Sequence, residues 1–250
     1  MATKQIGPIQ FQGKLGTIVG RSTRKGYMSL GMKATKVTNP QTQKQVIQRV
    51  KFSCAQEYAN GIPIDCFAGL RPYARSLKAS VRNAASKLCF SKNLMTIGNP
   101  GDSREVRTEI KPMDFFFSEG SEPGANFVDV TADTPATVDV GTQVNTYKSG
   151  ILHIIVYQKD IHTFLHVTEA FEKGITPQGS YYTDIQKSVA VPTNWNGMKV
   201  AVFLYVQYLP EDVSIDYYSQ FAAANSKERE AIESISTYSQ THYAGEVNIG

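Results

Sequence analysis

Ile151-Leu-His-Ile-Ile-Val-Tyr-Gln158 and Ile161-His-Thr-Phe-Leu-His-Val-Thr168, joined by Lys159-Asp160, read as an antiparallel β-hairpin. Both runs are rich in β-branched and aromatic residues, and a polar pair between them suits a tight turn. Outward from this hairpin, further runs of strand length follow at Tyr181–Val191 and Met198–Tyr208. Upstream lie Glu105–Lys111, Met113–Phe117, Asn126–Thr131 and Ala136–Val140. Glu122-Pro-Gly and Asn194-Trp-Asn-Gly197 mark turns between them. Eight short strands with almost no helical periodicity between them predict an antiparallel β-sandwich of Ig-like type over residues 105–250. A late helix is expected near Ser226, and Tyr243–Ile249 is a candidate closing strand.

The first hundred residues have a different character. Gly16-Thr-Ile-Val-Gly20 and Gly26-Tyr-Met-Ser-Leu30 flank Arg21-Ser-Thr-Arg-Lys25, the pattern of a hairpin with a cationic tip. Asn39-Pro40 opens a predicted helix over 40–59, whose apolar stripe is Ile47, Val50, Cys54 and Tyr58. Phe52 falls off that stripe, so it either packs on a second element or meets a partner. A short helix or turn near Ile64–Leu70 leads to a second predicted helix over 72–88, with apolar Ala74, Leu77, Val81, Ala84 and Leu88. Arg75, Lys78 and Arg82 follow the same steps and form a basic stripe beside them. The fold class is therefore α+β: a basic hairpin-helical module over 1–98, a turn-rich boundary near Asn99-Pro-Gly-Asp102, and an acidic β-domain over 105–250.

Charge supports that division. The 250 residues carry a net +4. Residues 1–95 hold 16 Lys and Arg against two acids, net +14, and the remainder holds ten against 20, net −10. Such a split points to assembly with an acidic partner, with nucleic acid, or head to tail with another copy. No apolar run reaches the length of a membrane span. The opening Met1-Ala-Thr-Lys-Gln lacks a signal-peptide core, and Cys54, Cys66 and Cys89 form no paired motif, so reduced thiols in a cytoplasm are expected.

Sites for chemistry are scarce. Gly7 to Leu15 has the wrong spacing for a phosphate loop, and Leu15 stands where a magnesium-binding hydroxyl is needed. His162 and His166 share a strand face but stand roughly 13 Å apart along it. Under a two-residue turn His153 faces His166, with no third ligand to complete a zinc site. Asp160, Glu169 and Glu172 read as solvated carboxylates, and no serine sits in a nucleophile elbow. The expectation is a non-enzymatic protein without a cofactor.

Two blocks, Gly13-Lys-Leu-Gly-Thr-Ile-Val-Gly20 and Asn39-Pro-Gln-Thr-Gln-Lys-Gln-Val-Ile-Gln-Arg49, resemble the N-terminal signature of an uncharacterised family found in Bacteroidetes and their phages. Val191-Pro-Thr-Asn-Trp-Asn-Gly197 and Ser239-Gln-Thr-His-Tyr-Ala-Gly-Glu-Val247 are similar to its later motifs, while Ser226–Tyr238 and the cysteines depart from it. The resemblance implies a phage-linked setting and transfers no activity to any residue.

The expected function is that of a virion structural protein: a minor capsid, head-associated or connector-type component made in the bacterial host cytoplasm. Its expected partners are capsid or neck proteins and copies of itself, with packaged DNA as a further one. Arg21, Arg24, Lys25, Arg75, Lys78 and Arg82 are the candidate anchoring residues. One alternative is a non-specific nucleic-acid-binding protein using the basic half. Another is a glycan-binding module with Trp195 as its stacking platform, against the plainer reading of Trp195 as a turn-packing residue.

Overall fold

The computed structural model describes residues 3–5, 13–15, 18–22, 28–32, 42–92, 95–97, 108–132, 135–175, 179, 181–222 and 225–250. The chain opens with β1 (Thr3–Gln5), β2 (Gly13–Leu15), β3 (Ile18–Ser22) and β4 (Met28–Met32), an antiparallel sheet of order β1-β4-β3-β2. The expected hairpin is therefore present, shifted by two residues. Arg21 lies in β3 opposite Ser29 rather than in the tip, and Arg24 and Lys25 lie outside the described residues.

Helix α1 (Gln43–Gly61) begins at Thr42, whose backbone N–H donates to Gln45 Oε1 at 3.3 Å. Asn39 and Pro40, expected to open it, lie outside the described residues. A 3-10 turn (Ile64–Leu70) then leads into α2 (Arg71–Ser76) and α3 (Val81–Ser91). The single helix expected over 72–88 is thus broken in two. Lys78 takes φ 49°, the Ala79 N–H closes back on Ala74 O at 3.0 Å, and Ser80 Oγ caps α3 by accepting from Asn83 N–H.

After β5 (Met95–Ile97) and β6 (Thr108–Ile110), the strand expected at 113–117 is instead a 3-10 turn, Pro112–Asp114, followed by an extended aromatic segment. The strands β7 (Asn126–Thr131), β8 (Thr137–Asn145), β9 (Gly150–Gln158), β10 (Thr163–Phe171), β11 (Tyr182–Ala190) and β12 (Lys199–Tyr208) follow. Trp195 is in a 3-10 turn between the last two. The chain ends with α4 (Ile215–Tyr217), α5 (Ser226–Ile235), β13 (Thr237–Tyr238) and β14 (His242–Asn248). The late helix and closing strand are both present.

β5 pairs with β6, and the strands from β7 onward form two sheets, one of order β11-β8-β7 and one of order β10-β9-β12, in which β12 also pairs with β13 and β14. The central strands β9 and β12 are buried almost throughout, as near-continuous apolar runs require when both faces are covered. Leu152, Ile154, Val202 and Leu204 form one cluster with Val138, Val140 and Val189 of the smaller sheet. Alternate residues Ile155, Tyr157, Phe203 and Tyr205 join a second cluster with Tyr58, Phe67 and Leu88 of the helical segment. The architecture is a mixed α+β fold with the large sheet in the middle. The segment expected to divide the halves lies mostly outside the described residues, but helices and sheet share one core.

Phe115 seals that junction. Its ring centroid is 5.2 Å from Tyr58, 5.1 Å from Tyr157 and 5.8 Å from Phe203, linking α1 to β9 and β12.

Candidate functional site

An open groove of about 370 Å³ lies where α1 meets the loop joining β9 to β10. Tyr58 comes from α1 and Ile62 from the residue capping its end, Ile110 from β6, Tyr157 and Phe164 from the hairpin, and Phe115 also lines it. Three elements converge because the aromatic segment after Pro112 draws β6 against both α1 and the sheet. The rim is polar. Ser53 Oγ donates to Glu57 Oε1 at 3.1 Å, and Tyr157 Oη lies 3.0 Å from His162 Nδ1. Cys54 and Lys159 complete the lining. Inside, Tyr58 Oη donates to Phe116 O at 2.6 Å and accepts from Phe116 N–H at 3.0 Å, so it is fully occupied. Burial also raises its pKa well above 10, keeping the phenol neutral. An aromatic interior with a mixed-charge rim suits recognition of an apolar or aromatic side chain.

The loop at this rim differs from the sequence expectation. β9 and β10 pair with Gln158 opposite Thr163, leaving four residues, 159–162, in the connection. His153 therefore lies opposite Thr168 and His166 opposite Ile155, a register two residues away from that of a two-residue turn. A shift of two keeps the same face, so the imidazoles still meet diagonally, Nδ1 of His153 and Nε2 of His166 being 2.9 Å apart.

The hydrogen-bond chain around this pair fixes its tautomers. Ser236 Oγ donates to Ile232 O at 2.9 Å, so it accepts from the Gln207 side-chain amide N–H at 3.1 Å. Gln207 Oε1 then faces His153 Nε2 at 2.9 Å and must accept from it. His153 Nδ1 is left to accept from His166 Nε2–H. His153 also stacks on Tyr205, with ring centroids 4.3 Å apart. Burial is the main cause lowering both imidazole pKa values. The nearby Arg229 adds to it, and His166 falls to about 4. The neutral pair ties β10 through β12 to α5. Beside it, fully buried Glu233 pairs with Arg71 and, at 2.7 Å, with Arg229, and accepts from Tyr218 Oη at 2.9 Å. Arg229 also reaches Asp65 at 3.6 Å. This ionic cluster fastens α5 to α2 and the 3-10 turn. Neither Arg71 nor Glu233 stood out in the sequence, because their partners lie some 160 positions apart.

The expected basic stripe is not assembled. Arg75 is exposed and donates to Ser234 Oγ at 3.2 Å. Lys78 sits exposed in the turn between α2 and α3. Half-buried Arg82 donates to Ala59 O, tying α3 to α1. With the helix broken at Lys78, the three no longer follow one helical face.

Phe52 is largely exposed, though its ring lies 6.3 Å from Phe90 of α3. Trp195 is 1% exposed within the core between the sheets, which leaves it no role as a stacking platform. Burial lifts the Cys66 and Cys89 thiols to about 12, so neither is a thiolate at neutral pH. Among the described residues, no group of three His, Cys, Asp or Glu side chains could hold a metal ion, and no helix is long and apolar enough to cross a membrane.

No curated protein matches the chain. A family model does, over residues 10–222, a span that ends before α5 and β14. That span takes in β2 to β4 of the N-terminal sheet, the helical segment and both walls of the groove, so the chain belongs to the family of unknown function DUF6266.

Proposed function

We propose that this chain is a non-enzymatic structural protein of a phage virion: a minor capsid, head-associated or connector-type component, made in the bacterial host cytoplasm. It works through contacts with capsid or neck proteins and with copies of itself. The observation that carries the reading is the open aromatic groove at the seam between the basic helical segment and the acidic strands. A concave apolar surface with a charged rim, set on a rigid doubly covered sheet, suits protein contact. We read the paired sheets as an Ig-like sandwich on the same terms, because all their ladders are antiparallel and their inner faces share one core.

Of the candidate anchoring residues whose side chains are described, Arg75 and Lys78 are exposed. Arg82 is engaged within the fold, and a charge reversal there tests stability rather than contact. Replacing Arg75→Glu and Lys78→Glu together is expected to abolish incorporation into particles while leaving the circular dichroism spectrum unchanged. Normal incorporation of the double variant contradicts the anchoring role.

A second reading, non-specific DNA binding, is favoured by the net +14 of residues 1–95. A titration of double-stranded DNA binding against salt separates the two. Measurable affinity that falls steeply with salt supports DNA contact, and no binding at low salt removes it.

A further inference from the structure

Phe127 is the most exposed large apolar residue among those described, at 85%, and it has a backbone that bulky residues avoid. Its φ is 48°, in the left-handed region. The cause is a β-bulge: Asn126 pairs with Gln143 and Asp129 with Gly141, so Phe127 and Val128 together oppose the single residue Thr142. Thr142 Oγ1 donates to Asn126 O at 3.0 Å and braces the bulge. Glycine is the residue that takes the left-handed position of such a bulge without strain. Here a phenylalanine occupies it and is turned out into solvent. Strain of this kind persists where surrounding structure imposes it, often for a functional reason.

The same chain carries a hole that fits this knob. An apolar cavity of roughly 150 Å³ suffices to bind benzene, and the groove between α1 and the β9–β10 loop offers about 370 Å³ lined by Tyr58, Phe115, Tyr157 and Phe164. The two cannot meet within one copy. Phe127 lies beside Gln143, near the corner where β8 turns into β9, whereas the groove includes Lys159 and His162 at the far end of β9. The groove also opens on the helical side of the large sheet, and β7 belongs to the sheet across its other face. The charges alongside lean toward attraction, with Glu57 the one acid among the groove's lining residues. Exposed Asp129 stands two residues from Phe127, and Lys159 lines the groove with exposed Lys111 between its lining residues Ile110 and Pro112.

We infer that Phe127 of one copy seats in the α1/β9–β10 groove of a second copy, head to tail. This rests on the reading of the protein as one that acts through protein contacts, and it names the surface and the partner. A heterologous contact of this kind does not use itself up in a dimer: it closes into a ring or extends as a filament.

The test places p-benzoylphenylalanine at position 127 of the full chain and irradiates a mixture of isotopically light and heavy protein at low salt. The expected products are a ladder of oligomers with mixed-isotope cross-links from position 127 to peptides within 54–62, 110–115 or 157–164. In parallel, F127S is expected to sediment as the 27.6 kDa monomer under conditions where the unsubstituted chain forms larger species, with its thermal midpoint unchanged or raised. Cross-links between two 127 positions, cross-links elsewhere, or a strictly monomeric unsubstituted chain overturn the inference. If the chain is monomeric in solution yet present in particles, this self-contact is wrong and the virion assignment stands. Self-association through the groove in a chain absent from particles has the opposite meaning.

Discussion

Glu233 has no exposed surface, and the two arginines that neutralise it keep little of theirs, Arg71 10% and Arg229 28%. Removing one partner of a buried pair leaves the others desolvated without compensation, which costs about 3–5 kcal/mol. Because the arginines retain some solvent, E233Q is expected near the lower end, about 3 kcal/mol, read as a lowered urea midpoint at constant slope. The His153–His166 pair sets a pH dependence whose sign follows from burial. His166 binds its proton with a pKa of about 4 when folded and near the ordinary 6.5 when unfolded. The unfolded chain therefore holds more protons between those values. His166 stability is complete above about pH 6.5 and is lost progressively down to about pH 4, amounting to roughly 3 kcal/mol. The fold presents Arg229, Glu233 and Asp65 to this site, and Arg229 favours the neutral imidazole. H166Q is expected to flatten the slope of unfolding free energy against pH between 4 and 6.5, and an unchanged slope contradicts the assignment. The histidine pair was legible in the sequence because a period of two tolerates a register error of two. The Arg71–Glu233–Arg229 cluster was not legible, since nothing local in Glu233 marks it as buried.

At the scale of elements, the break between α2 and α3 shows how periodicity misleads. Ala74, Leu77, Val81, Ala84 and Leu88 step by three and four straight across it, so the apolar pattern continues where the backbone does not. Ser80 was the available signal, a capping residue in the middle of the apparent helix. No glycine announced the left-handed turn, because Lys78 occupies it. Two substitutions with opposite signs follow. K78G removes the penalty of a side chain at positive φ and is expected to stabilise by about 0.5–1 kcal/mol. S80A removes the cap and is expected to destabilise by about 1 kcal/mol. Thermal midpoints read both, and a fall for K78G contradicts the turn geometry. The strands were read more successfully than the helices. β7, β9, β11 and β12 lie close to their expected limits, β9 and β12 because near-continuous apolar runs of that length have few alternatives. The strand expected at Met113–Phe117 is replaced by a 3-10 turn and an extended segment, Phe115–Phe117. Its rings instead fill the space between α1 and the large sheet.

For the whole molecule, the charge split along the sequence was plain, but the way the halves join was not. Tyr205 donates to Cys66 O at 3.2 Å, and Ile155, Tyr157 and Phe203 share a core with Phe67 and Leu88. The helices are thus the cover on one face of the large sheet, and only long-range packing reveals that. Helical and strand regions are accordingly expected to unfold together. Fluorescence of the lone tryptophan, Trp195, reports the core between the sheets, and ellipticity at the helical band reports α1 to α3. Coincident urea transitions are expected, whereas separated midpoints contradict a common core. The exposed Phe127, the aromatic groove and the opposed charges are the features on which the proposal of a protein that acts through protein contacts rests. The most direct measurement is quantitative mass spectrometry of gradient-purified phage particles from cells expressing the gene. The expected result is this chain at a fixed copy number relative to the major capsid protein. Its absence from particles, with the chain abundant in the soluble fraction of the same cells, contradicts the virion assignment.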